Sequence, residues 1–232
     1  MSSSKQAVRN VVITGATSPL AIEFIKWANS KSYNIIAVSR RSSRELKDIS
    51  DSRTNNKLII ADLGSTEDIK KVIENIKKNY DHIDLHINNA CGWYKGGIKV
   101  TPFNEIKKQI DSSITGNILI TKEMIPLLLR ASGPQVVNIC SMVGTGYRFS
   151  PNTLYTILKG ALEAFGRSLR NDLKDENIRV INIHLGQLED DEPIENPRIP
   201  LSDVVKVMEL IVSVSSNTSI DSICLTPAKY YY

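Results

Sequence analysis

Seven short apolar runs, separated by longer segments with helical spacing, constrain the fold of this chain more than any other feature. The runs are nearly continuous in hydrophobic residues, which is typical of parallel strands buried on both faces. They span residues 10–14, 34–38, 58–60, 83–87, 135–139, 180–183 and 222–225. Between them, apolar residues recur at helical spacing in residues 20–29, 66–78, 103–129, 153–173 and 201–214.

This alternation of strands and helices predicts the fold class. Parallel neighbouring strands need crossover connections, and helices supply them on both faces of the sheet. We therefore predict an α/β fold with a Rossmann-like, doubly wound, parallel seven-stranded sheet. A length of 232 residues suits one domain of this kind, so residues 1–232 are predicted to form a single domain.

Composition and charge argue against several classes of protein. Hydrophobic residues make up 41% and charged residues 23% of the chain, as in ordinary globular proteins. The net charge of +4 is spread along the chain, so no nucleic-acid partner is predicted. Residues 1–10 lack the apolar stretch of a secretion signal, and no apolar run reaches the roughly 18 residues of a membrane span. We expect a cytoplasmic protein without a membrane partner.

The three cysteines predict neither a disulfide framework nor a metal site. Cys91, Cys140 and Cys224 are odd in number, far apart and not in Cys-x-x-Cys spacing. We expect them to be buried free thiols.

The turn after the first predicted strand reads Thr14-Gly-Ala-Thr-Ser-Pro-Leu-Ala21. Ligands of doubly wound sheets lie beyond the carboxyl ends of the strands, where amides at a helix start bind phosphate. The turn resembles the Thr-Gly-x-x-x-Gly-x-Gly turn of the short-chain dehydrogenase/reductase family. The resemblance implies a dinucleotide-binding domain whose cofactor contacts include Gly15, Thr17, Ser18 and Leu20.

Two of the three glycines of that turn are replaced here. Pro19 removes an amide donor, although proline is tolerated in the first turn of a helix. Ala21 fits where strand and helix pack almost as closely. Taken alone, the turn agrees about as well with an ordinary strand–helix connection.

The residue after the second strand bears on the choice of cofactor. NAD-preferring members of the family usually carry an acidic residue there for the ribose 2′-hydroxyl, whereas this chain has Ser39-Arg40-Arg41. Arginines suit a 2′-phosphate, because they form bidentate charge-assisted hydrogen bonds. The alternative is a solvated basic turn. We expect the cofactor to be NADPH/NADP, bound in part by Arg40 and Arg41.

Two further segments match the family's cofactor site. Asp62-Leu63, after the third strand, matches the aspartate that contacts adenine. Asn88-Asn89-Ala90, after the fourth strand, matches the Asn-Asn-Ala-Gly segment, with Cys91 in place of the glycine. The resemblance implies that Asp62, Leu63, Asn89 and Ala90 bind the cofactor.

Tyr155 and Lys159 form the Tyr-x-x-x-Lys pattern in the helix after the fifth strand, and Ser141 ends that strand. A spacing of four residues places both side chains on one helix face. In the family the tyrosine is the general acid or base, and the lysine stabilises the phenolate and holds the nicotinamide ribose. Ser141 is then expected to polarise the substrate carbonyl. Each of these residues taken alone also fits an ordinary structural role, but the three together in this order are specific to the family.

Two other positions depart from the family pattern. Ser113 stands where the family has an asparagine of the proton relay, which predicts an altered relay; Asn117, one turn on, is an alternative. In His184-Leu-Gly-Gln-Leu-Glu-Asp190, Leu185 replaces a proline and Asp190 a threonine of the loop beside the nicotinamide. Gly186 and Leu188 of this loop are expected to bind the cofactor. His184 is expected to be a packing or surface residue.

The resemblance implies an NADPH-dependent reductase that converts a small-molecule or peptide carbonyl to an alcohol. The alternative is a weak or inactive dinucleotide-binding sensor or scaffold. The loop 188–200 is short for a substrate lid, so a bulky substrate is expected, for example a peptide with an N-terminal 2-oxoacyl group. The Lys-, Asn- and Ile-rich composition is typical of low-GC bacteria, where such reductases act in antibiotic biosynthesis, including lantibiotic pathways.

A homodimer or homotetramer is also expected. The segments 103–129 and 153–173 are longer than one face of the sheet needs, and residues such as Ile118, Leu119 and Ile120 extend beyond a single apolar stripe. Family members associate through these helices. The aromatic residues Tyr230, Tyr231 and Tyr232 are a further candidate contact with a neighbouring subunit.

Overall fold

The computed structural model describes residues 9–94, 96–146, 150, 152–189 and 197–228. Within these residues, seven strands form one parallel sheet in the order β3-β2-β1-β4-β5-β6-β7. The predicted Rossmann-like, doubly wound, seven-stranded sheet is confirmed. The strands are β1 (Asn10–Thr14), β2 (Asn34–Ser39), β3 (Lys57–Ile60), β4 (Leu85–Asn88), β5 (Gln135–Ser141), β6 (Arg179–Leu185) and β7 (Ser222–Leu225).

Helices connect the strands and cover both faces of the sheet. They are α1 (Pro19–Ser30), α2 (Arg44–Asp51), α3 (Thr66–Asn79), α4 (Phe103–Ile110), α5 (Gly116–Leu128), α6 (Thr153–Asp172) and α7 (Leu201–Ser213). The sequence pattern did not predict α2. Its apolar stripe is short, since Leu46 is its one buried residue. The Ser43 hydroxyl stabilises its start by accepting a hydrogen bond from the Leu46 amide at 3.2 Å.

The predicted helix over residues 103–129 is divided. A π-helical turn, Asp111–Thr115, joins α4 to α5. Here the Asn117 side-chain amide donates to the Ser113 carbonyl at 2.7 Å. Gly116 packs on the chain just beyond β3, where an added Cβ would lie 2.4 Å from the Leu63 carbonyl oxygen. The turn therefore brings the helix close to the carboxyl end of β3.

Alternate residues of each central strand enter two separate cores. Val11 and Ile13 pack with α1, α2 and α7 on one face, and Val12 packs with α3 and α5 on the other. Because successive side chains of a strand point to opposite faces, a continuous apolar run supplies both cores at once. This is why the buried strands could be recognised from the sequence.

The strands β4, β5 and β6 carry a buried row of asparagines, which we call the asparagine ladder: Asn88, Asn138 and Asn182. These residues are partners in register, and each side-chain amide donates to the next at 2.9 Å. The Asn182 amide ends the row by donating to the Glu163 carbonyl of α6 at 3.0 Å. An added Cβ at Gly166 would lie 2.0 Å from Asn182, so α6 packs directly on the ladder.

The three cysteines are free thiols, but only Cys140 is buried; Cys91 is half-buried and Cys224 is exposed. The expectation of three buried thiols is therefore wrong for two of them. Across the described residues, no group of three or more His, Cys, Asp and Glu side chains is placed to hold a metal ion. No helix in that part of the chain is both long and apolar enough to cross a membrane.

Candidate active site

The turn between β1 and α1 is closed tightly around Gly15. Its φ of +65° is a conformation that glycine adopts without strain, and an added Cβ would lie 2.8 Å from Ala90 Cα. The Ser18 hydroxyl caps α1 by accepting from the Ala21 amide at 3.2 Å. Pro19 opens the helix, where no intrahelical N–H is needed, so it costs the helix nothing and leaves the turn with one donor fewer.

Asn89, just beyond β4, holds this turn from outside. Its side-chain amide reaches the carbonyls of Thr14 and Gly15 at 3.0 Å each and the Ser18 hydroxyl at 3.1 Å. The Thr14 hydroxyl accepts from the backbone amides of Asn89 and Ala90 at 3.1 Å. The turn is therefore fixed by residues distant in sequence, although it lacks two glycines of the family pattern.

Asn117 completes this network from α5. Its Oδ1 accepts from the Thr14 hydroxyl at 3.2 Å, and its amide donates to the carbonyls of Ala90 and Ser113 at 2.8 and 2.7 Å. These contacts support the turn between β1 and α1, which we call the nucleotide turn. They give Asn117 a positioning role and do not place it against Tyr155 or Lys159.

A cavity of about 200 Å³ lies over this turn, and we call it the nucleotide cavity. The exposed Arg40 and Arg41 stand at its rim, and the Ser39 hydroxyl donates to the Arg41 carbonyl. Two cations beside a tight backbone turn fit a phosphate-bearing nucleotide. The predicted cofactor residues that line it are Gly15, Thr17, Ser18, Arg40, Arg41, Asp62, Leu63, Asn89 and Ala90.

A larger cavity of about 660 Å³ adjoins it, and we call it the catalytic cavity. The two cavities share Ser18 and Asn89, so together they follow the carboxyl edge of the sheet. An elongated dinucleotide fits this arrangement. The predicted site residues that line the catalytic cavity are Ser18, Leu20, Asn89, Ser141, Tyr155, Lys159, Gly186 and Leu188.

Tyr155 and Lys159 lie near the start of α6. The Asn152 side chain caps this helix by accepting from the Tyr155 amide at 2.9 Å. The Lys159 ammonium is buried, donates to the Ile139 carbonyl at 2.6 Å and lies 5.7 Å from the centre of the Tyr155 ring. Burial disfavours the charge of this ammonium, but Coulombic interactions with Cys91, Tyr155 and Cys140 outweigh the burial and raise the pKa of Lys159.

Ser141 is the last residue of β5 and is buried at the floor of the catalytic cavity. Its hydroxyl donates to the Leu185 carbonyl at 3.3 Å and accepts from the Val143 amide at 3.4 Å. Beyond it, the turn Met142–Thr145 packs on α6, where a Cβ at Gly144 would lie 2.7 Å from the Lys159 carbonyl carbon. The fold therefore brings Ser141, Tyr155 and Lys159 to one cavity.

Ser113 lies elsewhere. It is buried in the π-helical turn, lines neither cavity, and its hydroxyl accepts from the Gly92 amide at 2.7 Å. In the structure it anchors the loop that follows Ala90. Its part in a proton relay stays a prediction.

The loop after β6 meets the catalytic cavity at Gly186 and Leu188. The Gly186 amide donates to the Leu225 carbonyl at 2.8 Å, and Leu188 bridges Ile199, which brings the ends of the 188–200 loop together. His184 is buried, as expected for a packing residue, and burial lowers its pKa. Asp190 and Tyr230–Tyr232 lie outside the described residues.

Sequence reasoning missed several residues of this site, and two of them bear on its geometry. Trp93 lines the catalytic cavity, and its ring lies 4.8 Å from that of Tyr155, edge to face. Asn152 was also missed as the cap of α6. The signal for Trp93 was an aromatic residue placed shortly after the Asn88–Ala90 segment, on the loop that enters the cavity.

A family model described as short chain dehydrogenase matches residues 9–193. A probable short-chain type dehydrogenase/reductase of Helicobacter pylori is 30% identical over 180 residues, which cover 75% of this chain and 63% of that protein. This chain therefore spans less than two thirds of that relative's length.

Two further matches name a cofactor for the proteins concerned. A probable NADP-dependent dehydrogenase of Haemophilus influenzae is 28% identical over 181 residues, 75% of this chain and 69% of that protein. A solved metagenomic short-chain oxidoreductase in complex with NADP has a TM-score of 0.81 at 18% identity. That match covers 96% of this chain and 98% of the solved one, and at this identity it shows the fold alone.

Proposed function

The chain belongs to the short-chain dehydrogenase/reductase family, and we propose that it is an NADPH-dependent oxidoreductase that reduces a carbonyl to an alcohol. One observation carries the proposal. Ser141, Tyr155 and Lys159 line a single cavity, and this cavity adjoins another with Arg40 and Arg41 at its rim. A sensor or scaffold has no need for a phenol and a buried ammonium side by side.

The residues present fit a dinucleotide. The close approach of Gly15 to Ala90 leaves a turn that a Cβ would fill, and Ser18 and Asn89 border both cavities. Gly15, Ser18 and Leu20 would hold the pyrophosphate, Asp62 the adenosine, and Lys159 the nicotinamide ribose. When bound, NADPH supplies a hydride for the carbonyl carbon.

The chain's own residues then handle the carbonyl oxygen. The Ser141 hydroxyl turns from the Leu185 carbonyl to donate a hydrogen bond to that oxygen, on which negative charge develops. The Tyr155 hydroxyl donates its proton to the same oxygen, which completes the alcohol. The Lys159 ammonium stabilises the phenolate that Tyr155 leaves.

The preference for NADPH over NADH follows from Arg40 and Arg41. Both arginines are exposed at the rim of the nucleotide cavity, where one 2′-phosphate can reach them. NADP is named for the Haemophilus relative and for the metagenomic structure, which supports the same preference.

We propose a bulky carbonyl substrate, such as a peptide with an N-terminal 2-oxoacyl group. The size of the catalytic cavity, about 660 Å³, supports this. A role in lantibiotic maturation is the pathway-level form of this hypothesis.

We also propose a homodimer or homotetramer. Most of the apolar residues that motivated this expectation are covered within the chain: Ile120, Met124, Leu127 and Leu128 are buried, and Leu119 and Ile125 pack against them. Support now comes from exposed apolar side chains on the same helices, namely Phe103, Ile110, Ile118 and Ile157. Light scattering is expected to give at least twice the monomer mass at micromolar concentration.

The function is tested by mixing the protein with NADPH and a panel of 2-oxo esters. We expect NADPH fluorescence to change on binding, and NADPH absorbance at 340 nm to fall only when a ketone is present. Binding without loss of absorbance for any ketone would favour the sensor or scaffold over the enzyme.

A further inference from the structure

Trp93 is an exposed aromatic residue beside the reacting centre. Its side chain is 63% exposed, yet it lines the catalytic cavity and its ring meets that of Tyr155 at an angle of 74°. An edge-to-face contact occupies at most one face of the indole. A face is therefore left for another molecule in the cavity.

The loop that carries Trp93 is fixed at both sides. Before it, the Gly92 amide donates to the Ser113 hydroxyl at 2.7 Å. After it, the Tyr94 carbonyl accepts from the Asn152 side-chain amide at 2.6 Å. Asn152 also caps α6 through the Tyr155 amide, so one side chain positions both aromatic rings. Trp93 is thus presented in a set place, which lowers the entropy lost on binding.

The catalytic cavity that Trp93 lines is apolar over much of its wall. Besides Trp93, its apolar lining residues include Met142, Val143 and Leu201. An apolar group that enters here is removed from water on several sides. A planar group gains more, because it can stack on the indole.

We propose that Trp93 determines specificity by binding a planar aromatic group attached to the substrate carbonyl. The proposal rests on the carbonyl reduction proposed above and names the substrate class of that same site. The preferred substrate then carries an aryl group next to the carbonyl, with the carbonyl oxygen between Ser141 and Tyr155. Ser113 and Asn152 are positioning residues that act through the Trp93 loop.

The test compares two substrates of similar size, ethyl 2-oxo-2-phenylacetate and ethyl 2-cyclohexyl-2-oxoacetate. The phenyl ring is flat and the cyclohexyl ring is not. The native protein is expected to show at least a tenfold higher kcat/KM for the phenyl ester. Trp93→Ala should remove that preference, chiefly through KM, and Trp93→Phe should keep most of it. An unchanged preference in Trp93→Ala would overturn the proposal.

Trp27 supplies a matched control, because it is the other of the two tryptophans in the sequence, packs on Tyr33 and does not line the cavity. Trp27→Phe is expected to keep the preference and to leave Trp93 as the sole tryptophan. In that variant, with NADP present, the phenyl ester should quench tryptophan fluorescence and the cyclohexyl ester should not. If neither ester is reduced, the proposed function fails, but quenching still tests whether Trp93 binds a planar aromatic group. Equal quenching by both esters would contradict that role of Trp93.

Discussion

The nucleotide cavity and the catalytic cavity form two halves of the site, and the two halves depend on different kinds of chemical group. In the nucleotide half, the turn after β1 depends on the backbone around Gly15 and on hydrogen bonds from Asn89. In the catalytic half, the proposed chemistry depends on the side chains of Ser141, Tyr155 and Lys159, which line one cavity. The nucleotide half departs from the family's sequence pattern at Pro19 and Ala21, whereas the catalytic half keeps the serine, tyrosine and lysine of the pattern. A binding site formed by backbone groups tolerates side-chain substitutions, whereas a site formed by reactive side chains does not.

The strands beneath the two halves also differ, in the contacts that hold them together. In β1 and β2 the middle positions are buried and apolar, from Val11 to Ile13 and from Ile35 to Val38, and the buried polar residues lie at the strand ends. Beneath the catalytic half, β4 to β6 carry the asparagine ladder, and His86 joins it through the Thr121 hydroxyl at 3.1 Å. Directional hydrogen bonds fix the strands that position Ser141 more narrowly than apolar packing does.

The largest effect on activity is expected from loss of a single atom of the catalytic half, the hydroxyl oxygen of Tyr155. Tyr155→Phe removes the proton donor and keeps the ring that contacts Trp93. We expect kcat to fall by about 10²–10⁴, the usual contribution of general acid catalysis, with NADPH affinity changed less than threefold. Steady-state NADPH oxidation beside a cofactor titration measures both. A variant with most of the native rate would show that another group donates the proton.

Acid is expected to weaken the catalytic half of the sheet first. Burial lowers the pKa of His86 from 6.5 to about 4. Between these values the unfolded chain binds a proton that the folded chain does not, so the free energy of unfolding falls as pH falls from 6.5 to 4. The shift corresponds to about 3 kcal/mol. Urea titrations across this range should show the slope, and His86→Gln should reduce it. The same slope in both proteins would place its origin elsewhere.

Gly15→Ala tests the backbone-built half, and Gly146→Ala is its control. Both glycines have positive φ, but an added Cβ meets Ala90 at 2.8 Å in the first case and open space in the second. The φ strain costs each variant about 1–2 kcal/mol. We expect Gly15→Ala to lose more stability than the control and to bind NADPH at least tenfold more weakly. Equal stability and equal NADPH affinity in the two variants would mean that the turn accommodates the added Cβ without a loss of free energy.

The last expected effect is at the rim of the nucleotide cavity. Arg40→Ala removes a charge-assisted contact worth about 1.5–3 kcal/mol, so the preference of at least tenfold for NADPH over NADH should shrink. Arg44→Ala is the control, because Arg44 lies at the start of α2 and outside the cavity. Dissociation constants from fluorescence titrations decide it. Equal constants for the two cofactors in the native protein would mean that Arg40 only faces solvent.

The sequence predicted the strands well because continuous apolar runs report burial on both faces directly. It failed where a contact joins distant segments. The π-helical turn depends on Gly116 meeting Leu63, and the nucleotide turn depends on Asn89, some 75 residues from Thr14. Motifs likewise predicted Tyr155 and Lys159 together, because helical spacing fixes their relation. No local pattern could show that Ser113 supports the Trp93 loop.

Transfer of deuterium tests the central claim most directly. The protein is incubated with NADPH deuterated at C4 of the nicotinamide, in separate samples for each face of the ring, and with the 2-oxo ester that it turns over fastest. Mass spectrometry of the product should find one deuterium on the carbinol carbon from one of the two samples, and at least a hundredfold less of this product in the same time after substitution of Tyr155 by Phe. An alcohol without deuterium from either sample, or no alcohol at all beside tight NADPH binding, would contradict hydride transfer at this site.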